Sequence, residues 1–143
     1  AAAPYKVNVE AAYSLLNVWH IPANNEPPSV TMRNPLNPGT SATVYFYVGA
    51  YPYNDSIWSG QIKYRFGTSG NWSSSTLNWD SNNGDNAYWK ATVVMPSSAA
   101  TVQYYAVING GPAYDTTYVY NNNAKSGNEG AAAAEPYSFA VSK

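Results

Sequence analysis

Apolar and polar residues alternate along most of the chain with a period of two, the spacing of a strand whose successive side chains point to opposite faces. In TSATVYFYVG (40–49), Ala42, Val44, Phe46 and Val48 share one face, and Thr43, Tyr45 and Tyr47 the other. QIKYRF (61–66) sets Ile62, Tyr64 and Phe66 inward against Gln61, Lys63 and Arg65. YWKATVVM (88–95) carries a continuous apolar face of Trp89, Ala91, Val93 and Met95. TVQYYAVI (101–108) alternates Val102, Tyr104, Ala106 and Ile108 with Thr101, Gln103, Tyr105 and Val107. DTTYVY (115–120) divides Thr116, Tyr118 and Tyr120 from Thr117 and Val119, and PYSFAV (136–141) aligns Tyr137, Phe139 and Val141. Near the start, KVNV (6–9) puts Val7 and Val9 on one face.

Between these runs lie GTSGN (67–71), DSNNGDN (80–86), MPSSA (95–99) and NGGPAYD (109–115). Their Gly and Asn residues supply the positive φ that tight turns require. The helix signals EAAYSLL (10–16) and AAAAE (131–135) are too short to stand alone. Many short strands at close spacing predict an all-β fold, an immunoglobulin-like antiparallel β-sandwich. Residues 1–38 read as an N-terminal strand plus a proline-rich surface crossing within IPANNEPPSVTMRNPLNPG (21–39). No internal repeat or second domain is visible, so residues 1–143 read as one module.

The tryptophans sort by the same parity. Trp89 falls on the apolar face and reads as core, and Trp79, in phase with Leu77, is expected to lean inward. Trp72 follows a Gly-rich turn and points opposite Leu77, toward solvent. Trp58, in the polar loop YNDSIWSG, is a second exposed candidate, and Trp19 is expected to pack the proline-rich crossing. Tyr114, Tyr118 and Tyr120, followed by Asn121, Asn122 and Asn123, form another dense patch. As plain structure, that patch is an edge strand ending in a polar loop.

Composition narrows the ligand. Charged residues make up 10% of the chain, against roughly 25% in an average soluble domain. Aromatics make up 15%, with 14 Tyr and 5 Trp against 3 Phe, and Asn, Ser and Thr supply the polarity. Rings that stack on the C–H face of a sugar, with amides for its hydroxyls, suit a neutral polysaccharide. Tyr and Thr are also ordinary strand formers. Seven basic and eight acidic residues are scattered without a basic stripe, which weighs against nucleic acid and against a polyanionic sugar. No apolar run is long enough to span a membrane as a helix. With no cysteine there is no disulfide framework. The opening AAAPYK has no signal-peptide core and fits what cleavage after an A-x-A site leaves behind, so the expected location is secreted, extracellular.

Catalytic chemistry is hard to assemble from these residues. The eight acids show no inferable pairing across a glycosidic bond. His20, the only histidine, lies outside any nucleophile elbow and reads as structural. One His and no Cys cannot make a zinc site. Calcium is the weaker exclusion: Asp80, Asn82, Asn83, Asp85 and Asn86 offer oxygen donors, but the distal Glu of a calcium loop is missing, so the segment reads as a turn and no cofactor is expected.

The runs IKYRFGTSGNW, LNWDSNNGDNAYWKATVVMP, VQYYAVINGG and YVYNNN together resemble the starch-binding β-sandwich modules attached to α-amylase-family enzymes, especially the N-terminal module of neopullulanases and maltogenic amylases. The resemblance spans roughly Val44 to Asn123 and is sharpest in the WDS and YWK segments. It implies a glucose-stacking tryptophan after the Gly-rich turn, here Trp72. It implies a second ring just before the YR pair, where this chain has Lys63, and a third from Tyr114, Tyr118 or Tyr120 with Asn121 to Asn123. The implied function is a non-catalytic carbohydrate-binding module that recognises neutral α-glucan beside a catalytic domain in a secreted glycoside hydrolase. The alternatives are a structural interdomain module without sugar affinity, or a binder of another neutral polysaccharide such as β-glucan.

Overall fold

The computed structural model describes residues 15–20, 38–51, 59–111 and 114–142. The KVNV run, most of the EAAYSLL run, the proline-rich crossing up to residue 37 and Trp58 lie outside them. Leu15 and Leu16, at the end of EAAYSLL, are not helical.

Two antiparallel sheets face each other, as expected for an all-β sandwich. The strands are β1 (Val18–His20), β2 (Thr43–Ala50), β3 (Ser59–Phe66), β4 (Ser73–Thr76), β5 (Asn78–Asn83), β6 (Asn86–Val94), β7 (Ala100–Asn109), β8 (Thr117–Tyr120), β9 (Ala124–Ser126) and β10 (Tyr137–Val141), with one short helix, α1 (Glu129–Ala134), before the last strand. One sheet runs β1-β2-β6-β5. The other runs β4-β3-β7-β8-β9, and β10 pairs with β7. Strand β7 is the spine of this second sheet: β3 lines one edge, while β10 pairs along residues 100–104 and β8 along residues 106–108 of the other.

The inner faces follow the parity pattern. Val44, Phe46, Val48, Ala91, Val93 and Met95 meet Ile62, Val102, Tyr104, Ala106, Ile108, Val119 and Val141 in one core, with Tyr64, Trp89, Tyr137 and Phe139 packed against it. Burying a side chain such as Phe46 stabilises the fold by about 1.5–3 kcal/mol. Phe66, expected inward, is 41% exposed because it ends β3, and its ring rests on Tyr64 instead.

Trp19 lies on the outer face of the first sheet with Tyr45, Tyr47 and Tyr88. Gly49 makes room for it, since a β-carbon there would fall 2.5 Å from the indole. The next residue joins the two sheets. His20 is buried, its Nδ1 is 2.8 Å from the Tyr47 carbonyl and its Nε2 is 2.6 Å from the Tyr104 hydroxyl. A carbonyl can only accept, so Nδ1–H donates and Nε2 accepts a hydrogen bond from the Tyr104 hydroxyl. Burial pushes the imidazole down to about 4, partly opposed by the Tyr47 hydrogen bond, and it stays neutral.

Several elements were not read from the sequence as they occur. Residues 73–83 form a single extended run that changes sheets. It pairs with β3 as β4, keeps a hydrogen bond from the Leu77 amide to the Gly60 carbonyl, and then joins β6 as β5. The expected DSNNGDN break shrinks to a two-residue hairpin in which Gly84 has φ 62° and Asn83 faces Asn86. The AAAAE signal becomes α1 because tertiary packing supplies what its length lacks: Ala132 is buried against Tyr105 and Val107, and the Asn128 side chain accepts from the Gly130 amide.

Candidate functional site

The outer face of the second sheet gathers four of the residues singled out in the sequence. Register places Lys63 between Ser74 and Tyr105, and Tyr118 beside Val107; directly opposed residues share a face. Trp72, Tyr118 and Tyr120 pack around the buried Tyr105, Val107 and Ala132. The face is therefore a ring cluster closed at one side by α1, with Lys63 and Arg65 along β3.

Its centre is pinned by polar contacts. The Tyr105 hydroxyl donates to Glu129 Oε2 at 2.7 Å. Burial raises this phenol well above its ordinary value, and the Glu129 hydrogen bond and charge add to the effect, so Tyr105 remains a donor. Burial, followed by the Glu129 charge, also raises Tyr118. Trp72 meets Tyr105 edge to face at 4.9 Å, and the Arg65 guanidinium lies 4.1 Å from the indole centroid. Arg65 is itself held by Gln103 at 2.9 Å and the Gly70 carbonyl at 3.1 Å.

Trp72 thus points to the outer face as its parity implied, but it is half-buried, with a guanidinium over the ring. Lys63, Tyr118 and Tyr120 are also half-buried. The other candidates are not part of this cluster. Tyr114 is 37% exposed in the turn after β7, its amide bonded to the Gly111 carbonyl. Asn121, Asn122 and Asn123 form a tight turn in which Asn122 and Asn123 both adopt the left-handed φ 62°. Asn123 is anchored to the scaffold: its Oδ1 accepts from the His20 amide at 2.8 Å and from the Tyr137 hydroxyl at 3.0 Å, and its Nδ2 donates to the His20 carbonyl at 3.2 Å.

The expectation that Trp79 is sheltered is overturned. It faces the core side, in one row with Trp89 and Val48, but it is 57% exposed. Parity with Leu77 misleads here because the chain changes sheets between them. Leu77 closes the β4–β3 ladder inside the core, whereas Trp79 stands on β5, the edge strand of the other sheet among the described residues. Only pairing across the two sheets reveals this, and local periodicity contains no sign of it.

Among the described residues, no three His, Cys, Asp or Glu side chains come together to hold a metal. The oxygen donors considered for calcium lie along both arms of the β5–β6 hairpin, and Asp80 turns to Lys90 at 3.4 Å and to the Ser81 hydroxyl at 3.0 Å.

No family model and no curated protein matches the chain. Solved structures do share its fold. A cyclomaltodextrinase superposes with a TM-score of 0.63 at 12% identity, over 89% of this chain and 19% of that one. A cycloalternan-forming enzyme from Listeria monocytogenes, solved with a pentasaccharide substrate, superposes with a TM-score of 0.59 at 18% identity, over 87% of this chain and 10% of that one. At these identities the likeness is one of fold, and the chain spans a tenth to a fifth of the solved chains it matches.

Proposed function

We propose that this chain is a non-catalytic accessory module of a larger, secreted glycoside hydrolase, and that it binds neutral α-glucan by aromatic stacking. The observation that carries the proposal is the outer face of the second sheet, where Trp72, Tyr118 and Tyr120 surround Tyr105 beside Lys63. Partly open rings stack on the C–H faces of glucose, and the Lys63 and Arg65 donors serve its hydroxyls. The fold likeness to small portions of two enzymes, one named for a cyclic maltodextrin and one for cycloalternan, supports the α-glucan class. A few rings give weak affinity, on the order of 1 mM to 1 μM, and linkage to a catalytic domain raises the effective concentration.

One observation favours a second reading. Arg65 lies on the Trp72 ring, and a half-buried, charged, aromatic face also suits packing against a catalytic domain of the same protein. Native electrophoresis through gels containing amylopectin, pullulan, dextran or a β-glucan separates the two. Retardation by α-1,4-linked glucans is the expected result. Retardation by β-glucan alone would keep a binding module with a different ligand. Free migration in every gel would leave the interdomain reading.

A further inference from the structure

We infer that Trp79 is a second sugar-stacking platform, separate from the outer face of the second sheet, and that it takes one pyranose ring of a neutral glycan. The inference borrows from the proposed function only that the ligand is a neutral glycan. Trp79 is the exposed tryptophan among the described residues, 57% open on the free edge of the first sheet. Its orientation is fixed, because the indole Nε1–H donates to Asn82 Oδ1 at 2.9 Å. That bond uses the ring's single donor, leaving an apolar π face for contact. The same bond orients the Asn82 amide, whose Nδ2 protons have no partner among the described residues and stand beside the ring. A β-bulge at Asp80 brings Trp79 and Asn82 together by inserting one extra residue between the Trp79–Trp89 and Ser81–Tyr88 pairs.

The surroundings select for charge. Asp80 and Lys90 neutralise each other at 3.4 Å, and the polar group in contact with the ring is the Asn82 amide. The charged residues of β5 and β6, Asp80 and Lys90, are paired with each other, whereas a hydroxylated neutral ring finds a flat apolar surface with the Asn82 amide donor at its rim. Among the described residues β5 has no strand on its outer side, so the sheet leaves that side open to a passing chain.

Calorimetric titration of the 143-residue chain with maltoheptaose tests this, using Trp79→Ala, Trp79→Tyr and Tyr118→Ala beside the wild type. Trp79→Ala is expected to bind about tenfold more weakly with an unchanged melting temperature, and Trp79→Tyr to recover to within about threefold of wild type. Loss in Trp79→Ala with none in Tyr118→Ala would sustain the platform and remove the outer-face site. Wild-type affinity in Trp79→Ala with loss in Tyr118→Ala would overturn the platform and keep the outer-face site. Absence of binding heat from the wild type, with maltoheptaose and with soluble dextran and β-glucan, would overturn both. A wild-type dimer in size-exclusion chromatography that Trp79→Ala dissolves would also overturn the platform, by assigning the ring to self-association.

Discussion

Trp72 and Trp79 flank the point where one extended run leaves the second sheet for the first, and the two sheets treat them differently. Trp72 is built into its surroundings: Arg65 lies over the ring, Tyr105 meets it edge to face, and α1 closes the cluster. Trp79 overhangs a free edge and is held by one hydrogen bond to Asn82. The comparison separates support from availability. A supported indole is rigid, but part of its surface is already used, and its removal disturbs the scaffold. An overhanging indole is open, and its removal disturbs mainly what lands on it.

The largest effect is expected at the third member of the series. Trp89, next to Trp79 in register but packed against the core, should cost about 3–5 kcal/mol when replaced by alanine. A melting temperature equal to wild type would dissolve the contrast between central and edge strands.

Acid should weaken the scaffold under both indoles without touching either ring. His20 has a folded value of about 4 against an ordinary 6.5. Between those limits the unfolded chain takes up a proton that the folded chain refuses, so stability falls as pH drops from 6.5 to 4 and is fully present above 6.5. The loss should reach about 3 kcal/mol at the acid end, read as unfolding midpoints across the pH series. Midpoints that stay flat for wild type would show that the imidazole is not held neutral between the sheets.

At Trp72, alanine should cost about 2 kcal/mol, less than at Trp89, because its ring packs on the small outer-face cluster around Tyr105 and not on the main core. Within that, a double-mutant cycle of Arg65→Ala and Trp72→Ala should give a coupling of about 0.5–1 kcal/mol. Zero coupling would mean that the guanidinium does not occupy the ring in solution. The smallest effect belongs to Trp79→Ala, where the melting free energy should change by less than about 0.5 kcal/mol. A larger loss would place Trp79 in the core after all.

Parity in the sequence was enough to assign the faces of β2, β3, β6, β7 and β10, because each has one side on a shared core and strands alternate strictly. It also put Trp72 and Lys63 on the side away from that core and Tyr118 and Tyr120 on one shared face, and the structure collects all four. What it could not show was the sheet to which a strand belongs. Leu77 and Trp79 share parity but close different ladders, and the difference between burial and exposure lies in the pairings Leu77–Gly60 and Trp79–Trp89. The three asparagines were equally ambiguous. Their composition suits sugar hydroxyls, but two of them occupy positive φ and Asn123 ties the turn to His20 and Tyr137. α1 was hidden for a thermodynamic reason: so short a helix forms only against Tyr105 and Val107, which are distant in sequence.

The central claim, that this sandwich presents rings to a neutral glucan, is tested most directly by the indole N–H signals of the 5 tryptophans in a 15N-labelled sample titrated with maltoheptaose. The account predicts saturable shifts for Trp72 and Trp79 and a stationary signal for Trp89. Five stationary signals at saturating sugar would contradict it.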